Sequence, residues 1–320
     1  MMFKKSLLNF KKQLNEAVNF GRNVSFSNVS KVLVCGMGGS ALPGDFVKSL
    51  FYPLNFEISV CRDYEIPGFV GEDYIVFCIS YSGNTKETIR MYESLVKITD
   101  KIVVITSGGK IGELARKYNS ELILVPAGLQ PRIAIGYLTF PVINVMVNSG
   151  IVKYNLSTEV NKANLVLNYD FEKQGKKIAG MLKDTVPLIY VSGADNIIGL
   201  KWKISFNENT KIPAFYNLFP EWNHNEINSF ENNPCKFTAV MINDKYDNEI
   251  LKKRFIITKD LLKDRGLEVL SIDLQGRNKL SRLLFGISLG DWVSYELALI
   301  YRQDAESVPV VEELKKRLEE

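Results

Sequence analysis

Histidine is the scarcest reactive residue of this chain, because its 320 residues contain only His224. Zinc centres built on imidazole ligands need two or three histidines. The sequence therefore excludes a histidine-rich zinc enzyme, and we expect no metal at the functional site.

The chain also lacks the cysteine spacing of metal and redox sites. Its four cysteines, which form no C-x-x-C pair, are Cys35, Cys61, Cys78 and Cys235. Cys35 and Cys78 fall in apolar runs, where cysteine usually packs as a small hydrophobe. Such usage is typical of a reducing compartment, so we expect a cytoplasmic protein.

Two classes of partner lack their usual signals. The net charge of +4 comes from 40 basic and 36 acidic residues that are interspersed, without the basic block of a nucleic-acid-binding protein. The first 18 residues have the pattern of an amphipathic helix, not that of a signal peptide. The longest apolar run, residues 138–147, is too short to span a bilayer. We expect binding neither to nucleic acid nor to a membrane.

What the sequence does contain is a cluster of hydroxyl residues after an apolar run. Residues 73–79 predict a strand buried on both faces, and residues 86–95 predict an amphipathic helix. The turn between them holds Ser80, Ser82, Gly83 and Thr85. Hydroxyls at a helix N-terminus form an anion site that suits phosphate. A simple helix cap is the alternative, but three hydroxyls at the carboxyl end of a buried strand favour a ligand site.

A second phosphate-type turn precedes this cluster. A predicted strand over residues 31–35 leads into a glycine-rich turn and then a helix over residues 42–51; the turn contains Gly36, Gly38, Gly39, Ser40 and Ala41. This turn matches the dinucleotide fingerprint G-x-G-x-x-A, so a dinucleotide site is a rival interpretation. The hydroxyl cluster on a neighbouring strand argues against it, because two adjacent turns of this kind predict one compact anion.

Strands and helices alternate along the chain. Residues 31–125 give a β-α-β-α-β series, for which right-handed crossovers produce a parallel sheet with helices on both faces. A second series starts near residue 168 and repeats the order of elements without the phosphate turns. We predict two doubly wound, flavodoxin-like α/β domains. Residues 1–155 carry an N-terminal helix and the phosphate site, and residues 156–320 end in a C-terminal helix.

Three polar residues outside these turns are candidates for chemistry. His224 lies in a polar segment crowded with asparagine and carboxylates, and loops carry function more often than cores do. Glu208, at a predicted helix end, is either a solvated carboxylate or a general base, and the sequence alone does not decide. Arg132 lies in an irregular segment after the first sheet, where a surface charge is the simpler interpretation.

Five short motifs occur in an order that characterises one family of enzymes. They are Met37-Gly38-Gly39-Ser40, Ser80-Tyr81-Ser82-Gly83-Asn84-Thr85, Pro131-Arg132, Glu208-Asn209-Thr210-Lys211 and His224-Asn225-Glu226. By these motifs the chain resembles the bifunctional phosphoglucose/phosphomannose isomerases, built from two sugar isomerase (SIS) domains, over about residues 20–318. Ser-x-Ser-Gly-x-Thr marks SIS domains in general. Glu-Asn-x-Lys with His-Asn-Glu 16 residues after the glutamate (224 − 208 = 16) marks this group more narrowly.

The resemblance implies an isomerase that converts glucose 6-phosphate and mannose 6-phosphate to fructose 6-phosphate through a cis-enediolate, without a cofactor or metal. It implies phosphate binding by four hydroxyl side chains and two glycine backbones, those of Ser40, Ser80, Ser82, Thr85, Gly38 and Gly39.

The resemblance also implies the roles in proton transfer. Glu208 would carry the proton between C1 and C2, and Arg132 would stabilise the enediolate. His224 would open the sugar ring from the neighbouring subunit of a homodimer. Lys315, or its neighbour Lys316, would reach the ring oxygen from the last helix.

One departure concerns the two C2 epimers. The family links tolerance of both epimers to a threonine near the last helix, and the corresponding stretch here has Ser307 but no threonine. Ser307 is the candidate substitute. The alternative to an enzyme is a non-catalytic SIS-type phosphosugar-binding regulator, which has no need to keep Glu208 and His224 together.

Overall fold

The computed structural model describes residues 2–318. They form two compact units, of which the first comprises Leu8–Asn164 and the second comprises residues 2–7 and 165–318.

The N-terminal segment forms two helices, α1 (Met2–Leu8) and α2 (Phe10–Ala17). Phe3 of α1 stacks on Tyr295 of the second unit, with ring centroids 5.9 Å apart, whereas Leu14 of α2 is fully buried in the first unit. The predicted N-terminal helix is present but is interrupted at Asn9, and its two halves bury their apolar side chains in different units.

The first unit is built on a five-stranded parallel sheet. Its strands are β1 (Lys31–Cys35), β2 (Glu57–Cys61), β3 (Tyr74–Ile79), β4 (Ile102–Thr106) and β5 (Glu121–Leu124), in the order β2-β1-β3-β4-β5. Every residue of the central strand β3 is buried, as expected for an apolar strand covered on both faces.

Helices cover both faces of this sheet. They are α3 (Leu42–Leu50), α4 (Lys86–Leu95), α5 (Gly109–Lys117), α6 (Ile135–Asn148) and α7 (Leu156–Ala163). On one face Leu33 and Val76 share a core cluster with Met91 of α4 and Leu114 of α5. Helix α3 packs on β1, β2 and α6, and α6 also contacts β4. The prediction of a doubly wound α/β fold is confirmed for this unit.

The second unit repeats the architecture with four parallel strands. They are β6 (Val186–Ser192), β7 (Phe215–Phe219), β8 (Phe237–Asn243) and β9 (Glu268–Asp273), in the order β7-β6-β8-β9. Its longer helices are α8 (Phe171–Leu182), α9 (Asn196–Ser205), α10 (Glu249–Asp264), α11 (Lys279–Ile300) and α12 (Pro309–Arg317).

Helix α11 is the central helix of the second unit. Its neighbours include α8 and α9, and the indole Nε1 of Trp202 on α9 donates to the carbonyl oxygen of Gly286 over 2.7 Å. Among residues 2–318 only α11 is long and apolar enough to cross a membrane, and 89% of its apolar window is buried within the protein. Such burial is what a core helix requires.

Candidate active site

The turns that follow β1 and β3 lie side by side, because these strands are neighbours in the sheet. The backbone N–H of Tyr81 donates to the hydroxyl of Ser40 over 3.0 Å. Ser40 and Ser80 are both buried. The structure thus joins the glycine-rich turn and the hydroxyl cluster into one loop pair at the carboxyl edge of the sheet.

The hydroxyl cluster is organised by its own hydrogen bonds. Ser80 donates from its hydroxyl to the hydroxyl of Thr85 over 2.9 Å and accepts from the backbone N–H of Gly83 over 3.1 Å. Thr85 is the N-cap residue of α4, but its side chain accepts no capping hydrogen bond. The exposed Ser82 accepts from the N–H of Asn84 over 3.3 Å. The arrangement differs from a simple helix cap, because the hydroxyls bond within the turn itself and line it at the positive end of the helix.

Gly83 allows this turn to close. Its φ is +74°, and a Cβ atom there would lie 1.8 Å from the carbonyl oxygen of Gly108, in the turn after β4. Only a glycine combines this left-handed backbone with such a close approach.

Arg132 lies beside the glycine-rich turn. It belongs to a 3-10 turn, Pro131–Ile133, and is 1% exposed. A Cβ on Gly39 would lie 2.6 Å from the backbone nitrogen of Arg132, so the two segments are in direct contact. The interpretation of Arg132 as a surface charge is wrong. A buried arginine whose backbone contacts a phosphate-type turn instead suits a site that binds an anion.

Two residues that the sequence did not single out hold this arrangement in place. The buried Tyr81 donates from its phenol to the carbonyl oxygen of Pro126 over 2.7 Å and accepts from the N–H of Leu129 over 3.0 Å. Burial raises the pKa of Tyr81, which keeps the phenol a neutral donor. The only signal for Tyr81 is an aromatic ring between two serines.

The second such residue is Gln13 of α2, which is 5% exposed. Its amide nitrogen donates to the carbonyl oxygen of Ile133 over 2.9 Å, and its amide oxygen accepts from the N–H of Gly136 over 2.8 Å. Gln13 thereby fixes the chain just after Arg132. Nothing in its neighbours marks it in the sequence, because its partners lie more than 100 residues away.

The matching position of the second unit is filled by protein charges. Ser192, at the end of β6, donates to the carboxylate of Asp195 over 2.9 Å, and Lys279 pairs with that carboxylate over 2.6 Å. Asp244, at the end of the neighbouring β8, lies 3.6 Å from Lys279 and 2.8 Å from Arg282. Carboxylates at this edge disfavour a phosphate, as the lack of a second phosphate turn in the sequence predicts.

Glu208 lies in a π-turn that continues α9. The turn comprises Phe206–Thr210, and Glu208 is half-buried in it. Single π-turns are rare and often lie at functional sites. The sequence places Glu208 at a predicted helix end, and nothing in it indicates the wider turn.

A buried polar network fixes this π-turn to α11. Asn209 donates from its amide nitrogen to the hydroxyl of Ser294 over 2.9 Å, and Thr210 donates from its hydroxyl to the carbonyl oxygen of Ser294 over 2.9 Å. One turn earlier along α11, the carboxylate of Asp291 pairs with the ammonium of Lys201. Satisfied buried networks of this kind hold a single backbone conformation.

His224 ends a 3-10 helix, Glu221–His224, and is exposed. Its segment is anchored by Trp222, which is fully buried and stacks on Tyr190 with ring centroids 3.9 Å apart. Glu226 accepts from the Tyr190 phenol over 2.7 Å. The exposed imidazole of His224 therefore lies on a segment that the buried Trp222 and the hydrogen-bonded Glu226 anchor.

Lys315 lies on α12, and every residue of that helix is exposed. Lys316 is exposed on the same helix. The hydrophobic residues Val310, Leu314 and Leu318 are 77%, 57% and 64% exposed.

The structure brings together one group of the predicted residues. Gly39, Ser40, Ser80, Thr85 and Arg132 lie in the adjoining turns of the first unit. The other three candidates lie in the second unit on separate segments, Glu208 on the π-turn, His224 on a 3-10 helix and Lys315 on α12. Within residues 2–318, no three His, Cys, Asp or Glu side chains are grouped as metal ligands.

Comparison with known proteins adds independent information. The family of bacterial phospho-glucose isomerase C-terminal SIS domains matches residues 171–318. The chain is 37% identical to the bifunctional phosphoglucose/phosphomannose isomerase of Aquifex aeolicus (strain VF5) over 292 residues, which cover 90% of each chain. It is 34% identical to the protein of the same name from Caldicellulosiruptor bescii over 334 residues, 98% of each chain.

A solved structure agrees with the fold. The C-terminal domain of glucosamine-fructose-6-phosphate aminotransferase from Francisella tularensis superposes with a TM-score of 0.73. The superposition covers 95% of this chain and 98% of that one at 14% sequence identity.

Proposed function

The chain belongs to the family of the bifunctional phosphoglucose/phosphomannose isomerases, and we propose that it interconverts glucose 6-phosphate and mannose 6-phosphate with fructose 6-phosphate. It is a sugar-phosphate aldose–ketose isomerase. The observation that carries the proposal is the paired turn of the first unit, in which Ser40, Ser80 and Thr85 line a helix N-terminus beside the buried Arg132.

The phosphate is proposed to bind in this paired turn. The hydroxyls of Ser40, Ser82 and Thr85 supply donors, and the hydroxyl of Ser80 orients that of Thr85. The backbones of Gly38 and Gly39 approach the anion closely because neither has a Cβ. The N-terminus of α4 adds N–H donors and partial positive charge. A site of this kind binds the 6-phosphate of either sugar equally, since the two sugars differ only at C2.

Isomerisation itself is proposed to depend on Glu208. Its carboxylate removes the C2 proton of the open-chain aldose, and electrons from the broken C2–H bond form the enediolate. The carboxylate then delivers the proton to C1, while the proton of the C2 hydroxyl passes to the C1 oxygen and C2 becomes the carbonyl carbon. The guanidinium of Arg132 stabilises the enediolate charge, which is worth most in a water-poor site. Both aldoses lose their C2 stereochemistry in the same enediolate, so one base serves both substrates.

Ring opening precedes this step and needs its own proton transfers. We assign them to His224, which removes the proton of the C1 hydroxyl, and to Lys315, or its neighbour Lys316, which donates to the ring oxygen. Both side chains are exposed on the second unit, and this suits residues that complete a site in another subunit.

A homodimer is therefore part of the proposal. Exposed aliphatic side chains of α10 surround the segment that carries His224, with Ile250 at 79%, Ile257 at 49% and Leu261 at 37% exposure. Arg254 of the same helix donates to Asn223, the residue before His224, over 3.4 Å. Contiguous exposed aliphatic surface of this kind is typical of protein–protein contacts.

A cytoplasmic setting is proposed because all four cysteines are free thiols. A non-catalytic phosphosugar regulator is not favoured, because the similar curated proteins over the whole chain are isomerases.

The proposal is tested with Glu208→Gln, which keeps the shape of the side chain but removes the base. We expect its turnover to fall by about three orders of magnitude or more, while calorimetric binding of glucose 6-phosphate stays near that of the native protein. In D₂O the native enzyme should introduce deuterium at C2 of glucose 6-phosphate, and the variant should not.

Glu231→Gln is the matched control. Glu231 is an exposed carboxylate of the same unit that pairs with Arg265, and its removal should leave turnover unchanged. Normal turnover by Glu208→Gln would overturn the assignment of the base.

A further inference from the structure

Lys211, the residue that ends the π-turn, has an unusual set of partners. The three N–H groups of its ammonium are shared among four carbonyl oxygens, those of Glu208 at 2.7 Å, Asn209 at 3.4 Å, Ser307 at 2.8 Å and Asp304. One cation thus joins the backbone of the proposed base to a segment almost 100 residues further along the chain.

The backbone of Lys211 is strained to allow this. Its φ is +60° and its ψ is +34°, the left-handed region. For a residue with a side chain this conformation is less favourable than it is for glycine. Such strain persists where the surrounding contacts compensate for it, and the hydrogen bonds of the ammonium are contacts of that kind.

Both sides of the connection are locally ordered. On one side, Asn209 and Thr210 are bonded to Ser294 of α11. On the other side, the Asp304 carboxylate accepts from the backbone N–H groups of Glu306 over 3.0 Å and Ser307 over 3.3 Å. Lys211 therefore connects two pre-formed segments, and its ammonium sets the distance between them.

A lysine suits this position better than an arginine. The ammonium is a compact charge with three rotatable donors, and it can be surrounded by several carbonyl oxygens. A planar guanidinium has a fixed fork of donors and a larger head, so it would have to push the two segments apart.

We propose that Lys211 is a positioning residue, which sets the carboxylate of Glu208 against the Ser307 segment and so controls both the proton transfer and the choice between C2 epimers. The inference rests on the proposed function, in which Glu208 moves the C2 proton, and on Ser307 as the candidate substitute for the threonine that the resemblance links to tolerance of both epimers. Misplacing a reacting group by about 1 Å can cost about 100-fold in rate.

The first test compares Lys211→Met with Lys203→Met. Lys203 is also half-buried and lies on α9, just before the π-turn, so it controls for loss of a nearby lysine. For Lys211→Met we expect kcat to fall about 10- to 100-fold with both aldoses while KM changes less than about threefold, because the phosphate turn is untouched. The ratio of kcat/KM for glucose 6-phosphate to that for mannose 6-phosphate should shift by more than about threefold. Lys203→Met should resemble the native enzyme in all three quantities.

The second test restores the ammonium chemically. In a Cys235→Ser background, Lys211→Cys is treated with 2-bromoethylamine, which forms a C–S bond with loss of bromide and yields a lysine analogue. The other cysteines, Cys35, Cys61 and Cys78, are buried, so the new thiol is the accessible one. We expect alkylation to recover at least about a tenth of native kcat and the native epimer ratio.

Amide hydrogen exchange separates positioning from general destabilisation. In Lys211→Met, exchange should accelerate at residues 304–308 and stay native in the strands of the second unit. The proposal is overturned if kcat and the epimer ratio stay within about twofold of native, or if residues 304–308 keep their protection. Failure of the native protein to convert either sugar phosphate would overturn the proposed function, whereas unchanged exchange in the variant would overturn only the connection through Lys211.

Discussion

The hydroxyl of Ser80 donates to the hydroxyl of Thr85 over 2.9 Å, across the turn that joins β3 to α4. Threonine at a helix N-cap usually bonds to the N–H groups of the first turn, but the Thr85 side chain makes no such bond. The Thr85 side chain therefore does not cap the first turn of α4, and the bond between the two hydroxyls fixes the shape of the turn that is proposed to receive the phosphate.

Thr85→Val should weaken phosphate binding and leave the fold intact. It removes one hydroxyl donor and the partner of Ser80, so we expect KM for glucose 6-phosphate to rise by about 10-fold, corresponding to one charge-assisted hydrogen bond, with a smaller effect on kcat. The matched control is Thr88→Val, one turn further along α4. Within residues 2–318 the Thr88 hydroxyl has no hydrogen-bond partner, so its removal should leave KM unchanged. Equal KM values for the two variants would contradict the phosphate site.

Gly39→Ala should inactivate the enzyme through the position of Arg132. The new Cβ would lie 2.6 Å from the backbone nitrogen of Arg132 and 2.7 Å from the carbonyl carbon of Pro131. Since these are backbone atoms, the two turns must separate, and we expect a loss of at least about 2 kcal/mol of stability and most of the turnover.

Gly112→Ala provides the control for this change. Gly112 lies within α5, where the nearest atom to a new Cβ is 3.5 Å away. This variant should be as stable as the native protein or more so, because alanine is the better helix former. Thermal unfolding and steady-state kinetics compare the stability and turnover of both variants with those of the native protein. Native activity of Gly39→Ala would show that the contact with Arg132 is dispensable.

A mixed dimer should reveal whether His224 is shared between subunits. Glu208→Gln and His224→Asn are each expected to be almost inactive alone. In a refolded equal mixture of the two variants, half of the dimers contain one subunit of each kind. If Glu208 and His224 serve one site from different subunits, each of these mixed dimers has one intact site. The mixture should then regain about a quarter of native activity. Activity no higher than that of the separate variants would place both residues in the same subunit.

Much of the fold was predictable because its signals are local. The strand β3 and the turn after it follow from an apolar run that ends in hydroxyl residues, and both are present. The parallel order of strands follows from alternating strands and helices.

What the sequence concealed depends on contacts distant along the chain. Arg132 resembles a surface charge by its neighbours, yet it is buried against the turn of Gly39, which lies more than 90 residues earlier. The ammonium of Lys211 donates to the carbonyl oxygen of Ser307, which lies 96 residues further along the chain. No hydrophobic periodicity in the sequence predicts that hydrogen bond. The N-terminal helix divides because its halves pack in different units, which an amphipathic pattern does not distinguish.

Loss of the proton from Asp247 should lower the free energy of unfolding of the second unit as the pH rises. Burial, with Asp195 and Asp244 nearby, raises its pKa to about 6. An aspartate in an unfolded chain titrates near pH 3.9, so the folded protein holds this proton more tightly. The associated stability is fully present below about pH 4 and is lost as the pH rises through about 6.

Asp247→Asn removes this dependence. At pH 4 the variant and the native protein should have similar free energies of unfolding in urea, and at pH 7.5 the variant should be the more stable by about 1 kcal/mol, after allowance for partial solvent screening. Asp260→Asn, at an exposed position of α10, should show no such difference between the two pH values. A stability gain for Asp247→Asn of the same size at both pH values would contradict the titration.

We propose above that this chain's own side chains isomerise both hexose phosphates. The most direct measurement follows the appearance of fructose 6-phosphate by NMR in the presence of EDTA, starting separately from glucose 6-phosphate and mannose 6-phosphate, with the native protein and Glu208→Gln. We expect turnover of both substrates by the native protein and of neither by the variant. Saturable binding of both sugar phosphates by the native protein without formation of fructose 6-phosphate would contradict it.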